Sequence, residues 1–383
     1  MNKVFLVSLY NGKEHDYIAE LQLPATPYEL LDALARVRFQ EGDHITCDVE
    51  DYGQFNFLDP VMDDSLNLFE LNALAHRIAL LDEEGQAAFE GLVLMEQKKA
   101  GTCSVGRLVD LAHSSECCDV HLGISSYEEL GHFYVDNDMV HGLENATEEV
   151  LRFVDFERIG RVLSEGEGGV LTSKGYVIQT EEVKSEFQTM DLDLRRPDYT
   201  ILLELEREGN SVQLQLPASL QEVENALKGL GADTWSDPLL HIQCVDCAAP
   251  VLNPILGGMD SVTELDRLSS MLQQMNSKAL TKYKAVLEAV GDWSLQGAIH
   301  IAEHLDDYLL MENYVTSEDM ARDFISCDGH SEMLPFVNLA GYGNYLMKSQ
   351  HGVMGDYGMV MRSDCQPLQS LQPQTPQEEI IMG

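Results

Sequence analysis

Three groups of side chains have types and spacings that could do chemistry. His300, Glu303 and His304 spell His-x-x-Glu-His, the inverted form of a zinc-protease motif. On a helix His300 and His304 share a face, as a zinc ion held by both requires. Asp306 and Asp307 follow at once, and with His304 they suggest a metal-dependent phosphohydrolase. Cys244-Val245-Asp246-Cys247 is a lone Cys-x-x-Cys. Structural zinc takes four ligands and no second such pair occurs, so buried thiols on a strand account for it equally well. Cys117-Cys118 says no more. No P-loop, Gly-x-Ser-x-Gly or dinucleotide fingerprint is present. A zinc hydrolase using His300, Glu303 and His304 is therefore a minor alternative, and two surface histidines on an acidic helix are the plainer explanation. The expectation is no catalysis, no metal and no required cofactor.

Charge excludes more. The 383 residues hold 65 Asp and Glu against 24 Lys and Arg, a formal net charge of -41. A surface this acidic repels phosphate backbones, so direct binding to nucleic acid or to an anionic membrane is not expected. What it attracts is a partner with a basic face. Hydrophobic content is ordinary at 44 %, enough to build cores, so the chain is not an acidic disordered polymer. No stretch approaches the roughly 20 apolar residues of a membrane span, and the opening residues read as a strand rather than a signal peptide. Eight cysteines in so long a chain do not make a disulfide framework, which points to a reducing cytoplasm.

The elements that must carry this charge are written twice. LQLPATPYELLDAL (21–34) recurs as LQLPASLQEVENAL (214–227), and HITC (44–47) as HIQC (241–244). ELNALAHRIALLDEEGQAAFEGLVLME (70–96) parallels ELDRLSSMLQQMNSKALTKYKAVLEAV (264–290), and SSYEELGHFYVDND (125–138) pairs with TSEDMARDFISCDG (316–329). DFERIGRVL (155–163) matches NLAGYGNYL (338–346), and VLTSKGYVI (170–178) matches VMGDYGMVM (353–361). A period of this size is a domain, not a solenoid repeat. The expected organisation is a first unit over 1–180, a linker over 181–198, a second unit over 199–364, and a disordered Gln- and Pro-rich tail over 365–383. The His-x-x-Glu-His is not kept in the first copy, where Val109, Ala112 and His113 stand.

Within a copy the pattern is α+β. Residues 4–9 and 17–23 read as strands joined at Asn11-Gly12. Thr26 with Glu29 three residues on is a capping box that opens a helix. Residues 44–49 read as a third strand. Leu68, Leu71, Leu74, Ala75 and Ile78 mark one helical face, and Phe89, Leu92 and Val93 begin another. Shorter helices are expected over 104–112, 126–134 and 155–163, and a hairpin turning at Lys174-Gly175 closes the unit. The fold class is thus an α+β, elongated tandem repeat of two similar multi-part units: a small antiparallel sheet plus helix, a helical middle and a small α+β end.

Acidic side chains cluster along these elements, and the clusters are the candidate partner-binding groups. In the first copy they are Asp48, Glu50, Asp51, Asp63, Asp64, Asp82, Glu83, Glu84, Glu90, Glu96, Glu128, Glu129, Asp136, Asp138, Glu144, Glu148 and Glu149. In the second they are Glu303, Asp306, Asp307, Glu312, Glu318, Asp319, Asp323 and Asp328. Residues four apart on a helix have Cβ atoms about 5–6 Å apart, close to phosphate spacing. At about one charge per 1.7 Å of duplex axis, 41 charges trace roughly 70 Å, against a diameter of about 55 Å for a sphere of this chain. Both copies share the load: residues 1–200 carry 39 acids and 15 bases, residues 201–383 carry 26 and 9. Acids at helix starts also complement the macrodipole, which covers Asp82-Glu83-Glu84 and Glu318-Asp319, and a charge run is ordinarily a solvated face.

The order of these blocks resembles the ArdA antirestriction proteins of mobile genetic elements. The likeness lies in LPATPYELLDAL, ELNALAHRI, YEELGHFYVDND and the closing FERIGRVL with GYVI, and it spans nearly all of each copy. Where that family has Gly-Arg-Asp, this chain has Gly160-Arg161-Val162 and Gly343-Asn344-Tyr345. Typical members are single units about half as long that pair as dimers. The resemblance implies a mimic of B-form DNA that blocks the DNA-binding cleft of type I restriction-modification enzymes, with the clustered carboxylates standing for phosphates. It also implies a built-in pseudo-dimer, open to further dimerisation. A DNA-mimic inhibitor of another defence system, such as a CRISPR effector, is the alternative of the same class.

Overall fold

The computed structural model describes residues 2–11, 17–40, 42–63, 66–143, 147–185, 187, 195–258 and 260–368. In chain order the first elements are β1 (Phe5–Asn11), β2 (Ile18–Leu23), α1 (Pro27–Arg36) and β3 (Ile45–Asp51). Then come α2 (Leu68–Ile78), α3 (Glu83–Ala100), α4 (Val105–His113), β4 (Cys118–Leu122), α5 (Tyr127–Asp136), α6 (Glu148–Leu151), α7 (Phe156–Glu167), β5 (Val170–Leu171) and β6 (Gly175–Gln179). The later elements are β7 (Ile201–Arg207), β8 (Asn210–Leu216), α8 (Leu220–Gly229), β9 (His241–Cys247), α9 (Val262–Gln274), α10 (Ser277–Val290) and α11 (Leu295–Glu303). The last are β10 (Tyr308–Met311), α12 (Ser317–Cys327), α13 (Leu339–Ser349), β11 (Val353–Gly355) and β12 (Gly358–Arg362). The fold is mixed α+β, and among the described residues the strands form four three-stranded sheets ordered β2-β1-β3, β4-β6-β5, β8-β7-β9 and β10-β12-β11.

The chain divides into two compact units, and the division is not sequential. One comprises Met1–Leu9, Glu20–Ala25 and Ile45–Asp193; the other comprises Tyr10–Ala19, Thr26–His44 and Leu194–Gly383. The last break falls in the expected linker, but α1 belongs to the unit built on the C-terminal half. Gly12 of the expected first turn lies outside the described residues, as do 369–383 of the expected tail. The tail's first residues are ordered: Leu368 is buried in a core.

In the first unit the helical spacing read from sequence holds. Leu68, Leu71, Leu74, Ala75 and Ile78 are all buried on α2, whose N-cap Asn67 accepts from the amides of Phe69 and Glu70. Helix α3 is buried continuously from Ala87 to Val93, so it is central rather than one-faced. β4 and β6 pair antiparallel from Cys118↔Gln179 to Leu122↔Gly175, with β5 on the far side of β6. Helices α5 and α7 cross at Gly160, where any Cβ would run into the carbonyl of Tyr127. Gly343 plays the same part where α13 meets Ser317 at the start of α12.

In the second unit α1 completes a core made by β7, β8, β9, α9, α10 and α11. Thr26 caps α1 in the box with Glu29 that the sequence predicts. Its hydroxyl also donates to Asp246 at 2.6 Å, and the Tyr28 hydroxyl donates to the Tyr199 carbonyl at 2.6 Å. Asp246 reaches α1 because β9 slips register between Leu202↔Asp246 and Leu203↔Cys244, a bulge that re-aims side chains. Four residues along α1, Asp32 accepts from Lys284, from the Tyr357 hydroxyl at 2.6 Å and from Arg36 at 2.9 Å. Arg36 also pairs with Asp356. Both partners of the Asp32–Lys284 pair are buried.

Burial alone would raise the Asp32 carboxyl, but Lys284 and Arg36 outweigh it, aided by the bonds from Lys284 and Tyr357, and hold it below its ordinary value. A depressed carboxyl adds stability above its unfolded pKa of about 3.9 and loses it as pH falls through the folded value. Asp32→Ala strands Lys284 and should cost about 3–5 kcal/mol in denaturant unfolding at pH 7. Between pH 5 and pH 2 the wild type should lose stability more steeply than Asp32→Ala; parallel curves would show that this pair contributes nothing.

Candidate partner-binding surface

Local structure decides which carboxylates face solvent. On β3 the alternation of side chains buries Cys47 and leaves Asp48 and Glu50 exposed, with Asp51 exposed at the strand end. At the start of α3, Asp82 is the N-cap, accepting from the Gly85 amide at 2.8 Å, and Glu83 and Glu84 stand exposed in the first turn. Glu128, Asp136 and Asp138 are exposed on and after α5, and Glu148 and Glu149 on α6. In the second unit Asp306, Glu312, Glu318, Asp323 and Asp328 are exposed. Among the described residues no ion pair ties Asp48, Glu50, Glu83, Glu84, Glu128, Glu148, Glu149, Asp306 or Asp328 to a cation.

Others have structural employment. Glu129 accepts from the Ser125 amide and hydroxyl, both at 2.7 Å, and those bonds hold its carboxyl below its ordinary value. Asp319 closes the capping box of α12 with Thr316, and Asp323 accepts from the Tyr314 hydroxyl at 2.6 Å. Glu96 pairs with Arg107 at 2.9 Å, Glu303 with Arg267, and Glu318 with Arg322 at 3.8 Å. Asp307 lies 3.5 Å from His304. Asp63 is half-buried, and Asp64 and Glu144 lie outside the described residues.

Glu90 requires a correction. It is only 7 % exposed, and it accepts from the Ser173 amide at 2.9 Å and the Ser173 hydroxyl at 2.5 Å. Because α3 is buried on this side, Glu90 braces the β5–β6 turn and presents nothing to a partner.

The expected chemistry-bearing motifs resolve into structure. His300 lies on α11 and His304 is its C-cap, with ring centroids 4.5 Å apart. His300 borders a cavity of about 690 Å³ lined in part by Arg267, Asp292, Glu303, Tyr308 and Leu368. Glu303, the motif's carboxylate, is taken by Arg267 and does not join the imidazoles. Among the described residues no group of three or more His, Cys, Asp or Glu is placed to hold a metal ion. The Cys-x-x-Cys spans the β9 bulge. Cys247 is fully buried with its thiol pushed up to about 12 by burial, and burial raises Cys244 further. Burial thus disfavours the thiolate at both positions. No described helix is long and apolar enough to cross a membrane. No family model matches the chain, and no curated protein matches it.

Sequence reading missed the acids that went inside, Asp32, Asp110 and Asp246, since their partners are distant in the chain. It also passed over exposed apolar side chains such as Phe153 and Phe336, which the repeat offset alone could have flagged.

Two outcomes check these assignments. Glu90→Ala should lower stability by about 1–3 kcal/mol, because it removes the two hydrogen bonds that Ser173 donates to a charged carboxylate, while leaving partner binding unchanged. Equilibrium dialysis should retain only substoichiometric zinc, with no difference in His304→Ala; one tightly held equivalent lost in that variant would revive the hydrolase alternative.

Proposed function

We propose that the chain is a DNA mimic: two copies of one ArdA-like unit whose folded carboxylates occupy the DNA-binding cleft of a type I restriction-modification enzyme or a related defence protein. The observation that carries this reading is the net charge of -41 displayed from folded helices and strands, with Asp48, Glu50, Glu83, Glu84, Glu128, Glu148, Glu149, Asp306 and Asp328 all facing solvent. Self-repulsion at such charge destabilises a compact chain, so a gain elsewhere must offset it. A basic cleft that releases its own bound anions on taking up these carboxylates supplies that gain, as counterion release does for DNA.

Several local features support two copies. The sheets β2-β1-β3 and β8-β7-β9 set the strands in the same order relative to the chain, and so do β4-β6-β5 and β10-β12-β11. Capping boxes recur at Thr26/Glu29 and Ser219/Glu222. Side-chain N-caps recur at Ser104 and Ser294, and at Asp155 and Asn338. In this reading the activity is binding alone, without catalysis or cofactor.

The experiment is competition. The protein is titrated into a type I methyltransferase bound to a labelled duplex at 50 and 200 mM salt. Displacement should occur at the lower salt and weaken strongly at the higher, since interactions between exposed charges are screened. A variant carrying Asp48→Lys, Glu50→Lys, Glu83→Lys, Glu84→Lys, Asp306→Lys and Asp328→Lys should displace at least about tenfold less well and with a shallower salt dependence. Failure of the wild type at low salt, or displacement indifferent to salt, would overturn the proposal.

A further inference from the structure

Among the described residues, the two most exposed large apolar side chains are Phe153, 91 % exposed, and Phe336, 87 % exposed. They are 183 positions apart, the same offset that relates DFERIGRVL to NLAGYGNYL and VLTSKGYVI to VMGDYGMVM. At that offset Val150 (52 %) corresponds to Met333 (49 %), and Val162 (58 %) to Tyr345 (66 %). All six are left in water. An isolated exposed apolar residue needs no explanation, but here three positions are apolar and exposed in both stretches, and Phe is kept at the most exposed of them.

Each phenylalanine also holds the same place before a capped helix. Phe153 follows α6 and its C-cap Arg152, two residues before Asp155, the N-cap of α7, whose carboxylate accepts from the Arg158 amide at 3.0 Å. Phe336 ends a short 3-10 turn over Ser331–Phe336, two residues before Asn338, the N-cap of α13, whose side chain accepts from the Gly341 amide at 3.0 Å. Behind them, α7 is pinned to α5 at Gly160 and α13 to α12 at Gly343, each by backbone packed too closely for a Cβ. In the second set Tyr345 stacks on Tyr342 at 6.4 Å, and Tyr342 meets Phe324 edge-on at 6.2 Å. Apolar groups held on rigid backbone lose little freedom on binding.

Charge selects the occupant. Residues 127–167 carry eleven carboxylates against three arginines, and residues 317–349 carry five against one Arg and one Lys. A second copy would bring the same excess of negative charge, whereas a protein surface rich in Lys and Arg would be drawn in. Specific interfaces couple such steering to a few desolvated apolar or aromatic anchors that supply most of the binding energy.

We propose that Val150, Phe153 and Val162, and equivalently Met333, Phe336 and Tyr345, are paired anchor sets. Through them the chain seats on a protein partner whose apolar recesses are rimmed by Lys and Arg, one recess for each set. This rests on the DNA-mimic reading and adds a contact that a polyanion alone lacks. The carboxylates govern steering and salt dependence; the anchors govern residence.

The test uses the full chain with Phe153→Ser and Phe336→Ser, singly and together, against the same methyltransferase–duplex complex at 50 and 200 mM salt. The double variant should displace at least about tenfold less well at both salts, with the slope against salt unchanged, and each single variant should lose part of that. Since both side chains lie in solvent, the unfolding midpoint should stay where it was. If the wild type displaces the duplex and the double variant does so equally well, the anchors fall and the mimic stands. If the wild type leaves the duplex in place, both fall. Sedimentation supplies a further overturning result: a wild-type dimer that the double substitution converts to monomer, with displacement intact, would make these sets a self-contact.

Discussion

A carboxylate in a folded chain has two tolerable places: in water, or inside with a partner for its charge and for each lone pair. With 65 acidic residues and only 24 Lys and Arg, inward places are scarce, because each needs a cation or a set of donors. The structure assigns those places sparingly. Asp32 receives Lys284, Arg36 and Tyr357. Asp246 receives Thr26, Tyr199 and the Tyr28 amide. Without a cation in that set, burial raises the Asp246 carboxyl despite three donors. Glu90 receives Ser173 twice. The surface charge is what remains after the interior has used its few partners.

Two of those interior acids lie at the edge of a helix from the N-terminal half that the C-terminal unit has taken into its core. The matching stretch LQLPASLQEVENAL and the two residues after it put Gln221, Asn225 and Gly229 where α1 has Tyr28, Asp32 and Arg36, and all three are exposed on α8. At the position of Lys284, the block over 70–96 has Glu90. The N-terminal half thus carries the buried stripe and the C-terminal half the lysine that receives it. Removing Asp32 therefore strikes the attachment of a whole helix, which is why a loss larger than that of any surface pair is expected there.

What the sequence made legible was whatever depends on near neighbours. The box at Thr26 and Glu29, the buried face of α2 and the hairpin turning at Lys174-Gly175 all follow from spacing within one or two turns. What it hid depends on distance. The stripe Tyr28, Asp32, Arg36 reads as a solvated helix face until Lys284 and Tyr357, 252 and 325 residues beyond Asp32, are placed against it. Glu90 reads as one more acid until Ser173, 83 residues on, reaches it. The His-x-x-Glu-His falls at the end of α11, with His304 as C-cap and Glu303 paired to Arg267, a partner 36 residues away that its spacing gave no sign of. The Cys-x-x-Cys spacing is the imprint of a bulge that turns Asp246 toward α1.

The structural uses of the exposed acids do not remove them from a polyanion. A capping carboxylate, such as the N-cap Asp82 or Asp319 in the α12 capping box, accepts from backbone amides and keeps its negative charge. Hydrogen bonding stabilises the charged form, as at Glu129 and Glu222, both held below their ordinary values by serine donors. Capping also restricts the side chain, so its charge occupies a defined point relative to the helix. A disordered acidic tail could match the same net charge, but ordering it against a cleft would cost chain entropy for every residue fixed. Charges already fixed by caps and strand alternation avoid that cost. The same local bonds that make single acids look merely structural are therefore what would let them act together as a rigid template.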